Sequence, residues 1–297
     1  MSIEALACPH CTAPIAPDGW KSAVCAYCRS VLVGLPRAWW ARPVPVPPWS
    51  GRSADAGAPR VRLGERAWVL GARLGVGAHS EVFRARRDAR LPLGAVLKVA
   101  TDDGEALRRE LRVIRRLRQS AARGSDHFVR RLPAPVASGA LRGDAISAGG
   151  APFAVAYRAR PGFTRTLADV RGAVDPRVAV WVGKRLLEQL TWLHGAGFAH
   201  RAIAAEHVLV HERDHGATLI GWSEARWLGG GDPASHRADV AAALEVAGAL
   251  LDRRAPRALR RFFHAAGSTD AWARHAALVR VSAETLGAPR HAPLNAS

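Results

Sequence analysis

The residues of this chain best suited to chemistry are its cysteines, which stand as two closely spaced pairs near the N-terminus. Cys8 and Cys11 form the first pair, Cys25 and Cys28 the second, and the sequence has no other cysteine. Two residues between cysteines let both thiolates of a tight turn face one ion, and two such turns complete a tetrahedral sulfur shell. The spacing therefore predicts a structural Zn²⁺ site, with an iron site or two disulfides as the alternatives.

Residues 1–33, which contain this four-cysteine pattern, resemble a zinc ribbon. Since sulfur fills all four coordination positions, the resemblance implies a site that holds a small module together and leaves no place for a substrate. Residues 34–65 are rich in proline and contain Trp39, Trp40 and Trp49, a composition that predicts an extended linker. Exposed indole rings are costly in water, so we expect the linker to pack on the rest of the chain or, with the ribbon, on a protein partner.

A second group of candidate residues begins in the segment WVLGARLGVGAHSEVFRARR, where alternating residues flank a turn rich in small side chains. Gly75, Gly77, Ser80 and Val82 give the pattern G-x-G-x-x-S-x-V. Glycines at these positions allow the backbone to fold over phosphates, whereas an ordinary hairpin turn is the alternative. Lys98 follows in AVLKVA and is one of three lysines among 43 Lys and Arg residues. Its compact ammonium suits a pair of phosphates better than a planar guanidinium does.

The segment DDGEALRRELRVIRRLRQ predicts a helix directly after this lysine-bearing strand. Asp102 and Glu105 have the spacing of a capping box, which predicts that the helix begins there. Glu110 lies in the middle of the helix beside its apolar stripe, where its carboxylate can reach Lys98, and Glu105 is the alternative partner. An unpaired ammonium in an apolar strand is unfavourable, so we expect the chain to supply such a carboxylate.

Taken in order, the glycine turn, the strand lysine and the helix glutamate resemble the small lobe of a protein kinase. The resemblance continues through RVAVWVGKRLLEQLTWLHGAGFAHR and through ADVAAALEVAGALL, in which Asp239 takes the place of a buried aspartate. It implies an α+β, two-lobed protein-kinase-like fold at 66–290, preceded by the ribbon, with a β-rich N-lobe at 66–160 and a helical C-lobe at 161–290. The nucleotide-binding residues that the resemblance implies are Gly75, Gly77, Ser80, Val82, Val96, Lys98, Glu110, Arg158, Arg160 and Leu209.

Within this implied set, Val82 and Leu209 correspond to the two apolar surfaces that enclose an adenine ring. Val96 is bulkier than the alanine that the family usually has, so the resemblance implies a narrower pocket. Arg158 and Arg160 correspond to the hinge that follows the strand FAVAYR.

The segment FAHRAIAAEHVLV resembles the catalytic loop of the family but lacks its polar groups. Ala202 replaces the carboxylate that orients and deprotonates the substrate hydroxyl, and His207 replaces a metal-binding asparagine. Gly221, in GWS, replaces the main magnesium ligand. One preorganised electrostatic group contributes about 3–4 kcal/mol to catalysis, so the loss of all three predicts little phosphotransfer and no catalytic residue. Glu206 or Glu224 is the alternative carboxylate for a metal ion.

These residues lead us to interpret the chain as a bacterial pseudokinase. It is expected to bind ATP or ADP, with no requirement for magnesium, and to act as a scaffold or allosteric regulator of a signalling partner. A divergent protein kinase or another ATP-dependent transferase is one alternative function. An adaptor whose zinc ribbon associates with nucleic acid is the second alternative.

The composition narrows these hypotheses. The net charge is +18, but the cations are nearly all arginine and are scattered, a pattern typical of a GC-rich bacterial genome. Such a surface attracts polyanions without having been selected for them, so a protein partner is favoured over nucleic acid. No run of eighteen apolar residues is present, and the N-terminus lacks the pattern of a signal peptide. The sequence therefore predicts a cytoplasmic protein without membrane contact.

Overall fold

The computed structural model of the protein describes four short strands before residue 34 and most of the chain after residue 57. The described residues are 6–7, 14–15, 22–24, 31–33, 58–90, 93–143, 151–160, 162–170, 174–211, 215–229, 232–265, 267–292 and 294. The chain divides into two compact units. One contains residues 46–161 and 220–227 and is called the barrel unit here. The other contains residues 1–45, 162–219 and 228–297 and is called the helical unit.

The N-terminal part of the chain contains two pairs of short strands. They are β1 (Leu6–Ala7), β2 (Pro14–Ile15), β3 (Ser22–Val24) and β4 (Val31–Val33). β1 pairs antiparallel with β2, and β3 pairs antiparallel with β4. One CxxC motif follows β1 in the sequence and the other follows β3. Because Cys8, Cys11, Cys25 and Cys28 lie outside the described residues, as do residues 34–57, the zinc ribbon stays a prediction.

Six antiparallel strands form a closed barrel in the barrel unit. They are β5 (Arg60–Leu63), β6 (Arg66–Val76), β7 (Ser80–Arg87), β8 (Gly94–Ala100), β9 (Pro135–Arg142) and β10 (Phe153–Arg158). Their order around the barrel is β10-β8-β7-β6-β5-β9, and β9 also pairs with β10. Alternate residues point inward and form a core that includes Trp68, Leu97 and Leu141. Burial of these side chains stabilises the barrel, and its closure leaves no open sheet edge.

Helix α1 (Glu105–Arg118) follows β8, and its apolar stripe, with Leu107, Ile114 and Leu117, is buried. The predicted capping box at its start is wrong, because the residue before the first helical turn is Gly104 and no side chain caps it. Gly104 has a φ of 78°, a left-handed conformation that glycine adopts without strain. The carboxylate of Asp102 instead accepts a hydrogen bond from the amide of Gly104, at 3.0 Å. A short helix, α2 (Ser125–Phe128), precedes β9.

The described part of the helical unit is built around one long apolar helix. Its elements are β11 (Arg165–Thr166), α3 (Pro176–Gly195), β12 (Phe198–Ala199), β13 (Val208–His211), β14 (Gly216–Leu219), α4 (Pro233–Gly248), α5 (Arg257–His264) and α6 (Ala271–Leu286). Asp175 caps α3 by accepting a hydrogen bond from the amide of Arg177, at 2.8 Å, and Pro176 occupies the first helical position. α3 packs against α4, α6 and β14, so its buried side chains form the centre of this unit.

The expected two-lobed protein-kinase-like fold, with a β-rich N-lobe at 66–160 and a helical C-lobe at 161–290, is wrong. The structure has a closed barrel of six antiparallel strands together with helices. Arg62 and Leu63 of β5 pair with Arg142 and Leu141 of β9, and this ladder joins the two ends of the sheet. β5 starts within the predicted linker, and neither β5 nor β9 carries a motif that would have drawn attention to it.

Residues 220–227 also belong to the barrel unit, although they lie about sixty residues after its last barrel strand in the sequence. They form a 3₁₀ turn, Trp222–Glu224, and a short strand, β15 (Arg226–Trp227). Among the described residues, no helix is both long enough and apolar enough to cross a lipid bilayer.

Candidate functional site

Strand β8 places Lys98 on the outer face of the barrel. Ala95 and Leu97 belong to the barrel core, so the alternation of the strand directs Val96 and Lys98 to the opposite face. Val82 of β7 lies directly opposite Lys98 in the ladder between the two strands. Three members of the predicted nucleotide-binding set therefore share one face of the barrel.

The ammonium of Lys98 is paired with the carboxylate of Glu110 from α1. Lys98 Nζ lies 2.9 Å from Glu110 Oε1 and 2.8 Å from Oε2, so it donates to both oxygens. Their side chains are 14% and 2% exposed, respectively. The contact predicted from the sequence is thus present, and the alternative partner, Glu105, pairs with Arg112 instead. A buried ion pair that loses one partner costs about 3–5 kcal/mol, so this pair fixes α1 against the barrel.

Tyr157 of β10 completes the buried polar group, which sequence reasoning did not foresee. Its hydroxyl donates to Glu110 Oε1 at 2.7 Å, and the residue is 5% exposed. Burial, together with the neighbouring Glu110 carboxylate, raises the pKa of Tyr157 well above its usual value. Tyr157 lies opposite Val96 in the ladder between β10 and β8, so both bulky side chains share the outer face with Lys98. The contact between Tyr157 and Glu110 depends on the register between β10 and β8. The periodicity of the sequence does not give this register.

The glycine turn joins β6 to β7. The amide of Gly77 donates to the carbonyl of Ser80 at 2.8 Å, which closes the turn. At its tip, His79 Nδ1 lies 2.8 Å from the Asp102 carboxylate, and the Thr101 amide donates to the His79 carbonyl at 3.2 Å. The hydrogen bond from the Gly104 amide and the contact with His79 lower the pKa of Asp102. The turn is therefore attached to the segment between β8 and α1.

The two glycines of the turn are not required by the conformation of the backbone. Neither Gly75 nor Gly77 has a positive φ. A β-carbon at Gly75 would meet no atom within 4 Å, and one at Gly77 would meet only the Ser80 carbonyl at an ordinary 3.6 Å. Packing within the chain thus gives no reason for glycine at either position. The register between β6 and β7 shifts between Arg73 and Gly75, so Gly75 lies at a β-bulge, a position where glycine is frequent.

Gly221 and Glu224 lie in the segment that returns to the barrel unit. Gly221 has a φ of 75° and a ψ of 55°, a left-handed conformation in which glycine avoids the strain of a side chain. The Glu224 carboxylate lies 3.8 Å from Arg109 and 3.5 Å from Arg226. Trp222, between them, is buried. Glycine at 221 therefore has a local structural role, and the alternative metal ligand Glu224 is shared by two arginines.

The loop at 200–207, in the helical unit, contains Ala202 and His207, which the resemblance placed at catalytic positions. Nδ1 of His207 lies 2.6 Å from the carbonyl of Ala202, to which it must donate its proton. Glu206 is exposed. Leu209 is half-buried on β13. His207 thus closes the loop with a hydrogen bond within it, and Ala202 offers only a methyl group.

Asp239 of α4 holds the start of this loop. Its carboxylate accepts hydrogen bonds from the amides of His200, at 2.7 Å, and Arg201, at 2.8 Å, and lies 3.1 Å from His194 Nε2. Burial acts to raise the pKa of Asp239, but these hydrogen bonds outweigh it and lower the pKa. Arg201 has a φ of 66°, which is strained for a residue with a side chain. The predicted aspartate is thus a structural anchor.

Beside this anchor, the rings of His194 and His236 stack with their centroids 4.0 Å apart. Burial and the neighbouring His194 lower the pKa of His236. The two histidines also line an open cavity of about 350 Å³ together with Thr191 and Asp270. No group of three metal-ligating side chains occurs in the described parts of the chain.

The predicted hinge residues are engaged with the backbone of the barrel unit. The guanidinium of Arg160 donates to the carbonyls of Arg130 and Arg131. Burial lowers its pKa, and the nearby Arg118 acts in the same direction. Arg158 ends β10, where its amide donates to the carbonyl of Ala134 at 2.8 Å and its side chain is exposed. Arg160 thus has a structural role that sequence reasoning did not assign.

In the barrel unit these residues offer the ammonium of Lys98 and a turn that contains two glycines, whereas Ala202, His207 and Gly221 have no carboxylate. Such a group can attract and orient phosphates, but it lacks a base and the acidic ligands that hold magnesium. No protein-family model matches the sequence, and no curated protein is significantly similar to it.

Proposed function

We propose that the barrel unit binds a nucleoside di- or triphosphate, ATP or ADP, at Lys98 and the glycine turn, and that the protein regulates a partner without transferring phosphate. In this proposal the nucleotide acts as a signal. Binding of the nucleotide stabilises the outer face of the barrel that is formed by Val82, Val96 and Lys98. This is the regulatory function that the sequence predicts, without the two-lobed fold of a kinase.

The observation that carries this proposal is the buried pair of Lys98 and Glu110. Holding an ammonium in a strand with 14% exposure requires an anion, and Glu110 supplies it at 2.8 Å. The pair alone explains why the fold tolerates Lys98 but gives no reason for Gly77 in the adjoining turn, where the backbone has no positive φ. A phosphate ligand accounts for both features, because it requires a nearby cation and close access to backbone amides.

Phosphotransfer is not part of the proposal because the chemistry of the reaction has no support. Ala202 cannot accept a proton, and His207 donates its Nδ1 proton within its own loop. Glu224 is already paired with Arg109 and Arg226. A magnesium ion needs an octahedral shell of oxygen ligands, which these residues do not supply. Binding without magnesium is therefore expected.

Calorimetric titration of the full chain with ATP or ADP, with and without magnesium, tests the proposal. The informative variant is Gly75→Val, since a β-carbon at this position meets open space and the fold should be retained. Gly195→Ala is its control, because a β-carbon there also meets no atom within 4 Å. We expect Gly75→Val to weaken ATP binding at least about tenfold, a loss of about 1.4 kcal/mol, and the control to leave it unchanged.

A second variant tests the charge. Lys98→Met together with Glu110→Gln removes both members of the ion pair and avoids leaving a buried charge. This double variant is expected to unfold cooperatively in urea but to bind no ATP. If the unaltered chain binds no nucleotide at about millimolar concentration, the binding proposal is wrong. Transfer of labelled phosphate from ATP at an ordinary kinase rate, abolished by the double variant, would refute the regulatory half.

We also propose that Cys8, Cys11, Cys25 and Cys28 bind one structural Zn²⁺ and that the ribbon or the tryptophan-rich linker contacts a protein partner. The four thiolates have the spacing of such a site. A module of this size cannot bury enough apolar surface to fold without its metal. Metal analysis of the purified chain tests the first statement.

A further inference from the structure

Positive charge is concentrated in one of the two units. In the described residues of the barrel unit there are 22 Lys and Arg against nine Asp and Glu. The described residues of the helical unit have 14 against ten. The excess of cations is therefore about three times larger in the barrel unit.

This asymmetry separates two explanations of the basic composition. A GC-rich genome would raise the arginine content of the whole chain alike, since one gene encodes both units. It would not concentrate the uncompensated charge in one of them. The barrel unit therefore has a basic surface beyond what composition explains, and a basic surface of this kind attracts polyanions.

One exposed part of this surface is on α1. Arg112, Arg115, Arg116 and Arg118 are the exposed arginines of this helix, and we call them the α1 arginine face. A four-residue step on a helix advances about 6 Å, so Arg112 and Arg116 lie one above the other. One carboxylate, Glu105, pairs with Arg112. Within the described ranges, no carboxylate pairs with Arg115.

An exposed tryptophan stands beside this face. Trp227 of β15 is 54% exposed, and the guanidinium of Arg116 lies 4.1 Å from the centre of its ring. Exposure of an indole ring to water is unfavourable, so an exposed tryptophan often marks a binding site. A planar guanidinium stacked on an aromatic ring, within a cationic surface, is the kind of platform on which unpaired bases stack.

We propose that the α1 arginine face and Trp227 together bind single-stranded nucleic acid. The arginines pair with phosphates, and Trp227 stacks on a base. A duplex keeps its bases stacked inside and offers no face to the indole, so it uses only the arginines. An acidic peptide likewise pairs with the arginines and gains nothing from a platform for planar rings. This activity is independent of the nucleotide proposed for Lys98.

Fluorescence anisotropy with the full chain and a labelled oligouridylate of about twelve nucleotides tests the base-stacking half. Trp227→Ala is expected to weaken binding at least about fivefold, the effect of one stacked base. Trp272→Ala is the matched control, since Trp272 is 57% exposed and lies on α6 in the helical unit. The control is expected to bind as the unaltered chain does. Equal effects of the two variants would refute the proposal.

The charge half is tested by Arg115→Glu together with Arg116→Glu. The matched control is Arg253→Glu together with Arg280→Glu, which changes the charge equally at two exposed arginines of the helical unit. Each phosphate contact contributes about 0.7 to the slope of log affinity against log salt concentration for a single strand. We expect the first double variant to lower this slope by about 1.4 and the control to leave it unchanged.

Three competitor ligands identify the class of polyanion. The proposal requires that an oligomer with the same phosphates but without bases binds at least about fivefold more weakly than oligouridylate. A duplex and a polyglutamate peptide should also bind more weakly at equal charge. Equal binding of all four ligands would show only a nonspecific polyanion surface and would contradict the proposal, as would tighter binding of the peptide. Comparison with the DNA analogue, oligothymidylate, distinguishes RNA from DNA.

Discussion

Tyr157 is the residue that joins Lys98 and Glu110 into a three-membered buried group, and it has a testable contribution. Tyr157→Phe removes a hydrogen bond of 2.7 Å to a carboxylate that is almost fully buried. A hydrogen bond to a charged group contributes about 1.5–3 kcal/mol, so the free energy of unfolding should fall by about 2 kcal/mol. Urea denaturation at neutral pH measures this change.

The same residue predicts how stability changes at alkaline pH. Its folded-state pKa lies well above the usual value of 10.0. A raised pKa means that the unfolded chain loses this proton first, so the stabilisation is complete below about pH 10 and is lost as the pH rises further. Tyr157→Phe should therefore have a flatter profile of stability between about pH 9 and about pH 11 than the unaltered chain. Parallel profiles for the two proteins would contradict this assignment.

Glu188 of α3 predicts the opposite dependence, at acid pH. Burial acts to raise its pKa, but the nearby His275 and the Arg185 guanidinium, 2.8 Å away, outweigh it and lower the pKa from 4.5 to about 2. Because this pKa is lowered, the stabilisation is complete above about pH 4.5 and is lost as the pH falls towards about 2. It amounts to roughly 3 kcal/mol, and Glu188→Gln should remove this part of the acid dependence. Glu284→Gln, at an exposed position of α6, is the control.

Among individual residues, Lys98 and Glu110 could be predicted from the sequence because each has a charge in an apolar segment. Lys98 is a rare lysine in an apolar strand, and Glu110 is a carboxylate beside the buried stripe of a helix. Tyr157 and Arg160 gave no such signal. Their partners lie 47 and 29 residues away in the chain, and only the register of the strands brings them together.

Among the elements, α4 supports the loop at 200–207 through a single carboxylate, Asp239. Asp239→Asn keeps one acceptor oxygen but turns an amide group towards a backbone N–H that now has no acceptor. Loss of a charge-assisted bond and a buried unsatisfied donor together cost about 3 kcal/mol. Asp175→Asn is the control, because asparagine caps a helix about as well as aspartate does. Urea denaturation of both variants measures the difference, and equal stabilities would contradict an anchoring role for Asp239.

The elements also show where sequence patterns stop being informative. The glycine turn and α1 were predictable, because alternation and helical periodicity are local signals. The closure of the barrel was not, since it depends on a ladder between β5 and β9, whose paired residues are about eighty positions apart. The start of α1 was misplaced because the Asp-Asp-Gly sequence forms a tight turn in which a carboxylate binds the Gly104 amide. Long-range pairing therefore decided the fold against the expected two-lobed arrangement.

For the whole molecule, the division of charge and chemistry between two units suggests separate tasks. The barrel unit has the ammonium of Lys98, the glycine turn and the larger excess of arginine, whereas the helical unit has the loop at 200–207. A regulator that responds to nucleotide and binds a polyanion needs only the groups in the barrel unit. The loop at 200–207 is then a structural element, which agrees with the internal hydrogen bond of His207.

We expect the module that contains the four cysteines to fold independently of the barrel unit. We expect one zinc ion per chain, and we expect Cys8→Ser together with Cys25→Ser to abolish its binding, since two sulfur ligands cannot hold a structural site. The free energy of metal binding is the folding energy of such a module, so the cooperative urea transition of the remaining chain should be unchanged. Metal analysis and urea denaturation measure the two effects. A chain that binds no zinc, or a barrel that unfolds with the cysteine variant, would contradict this prediction.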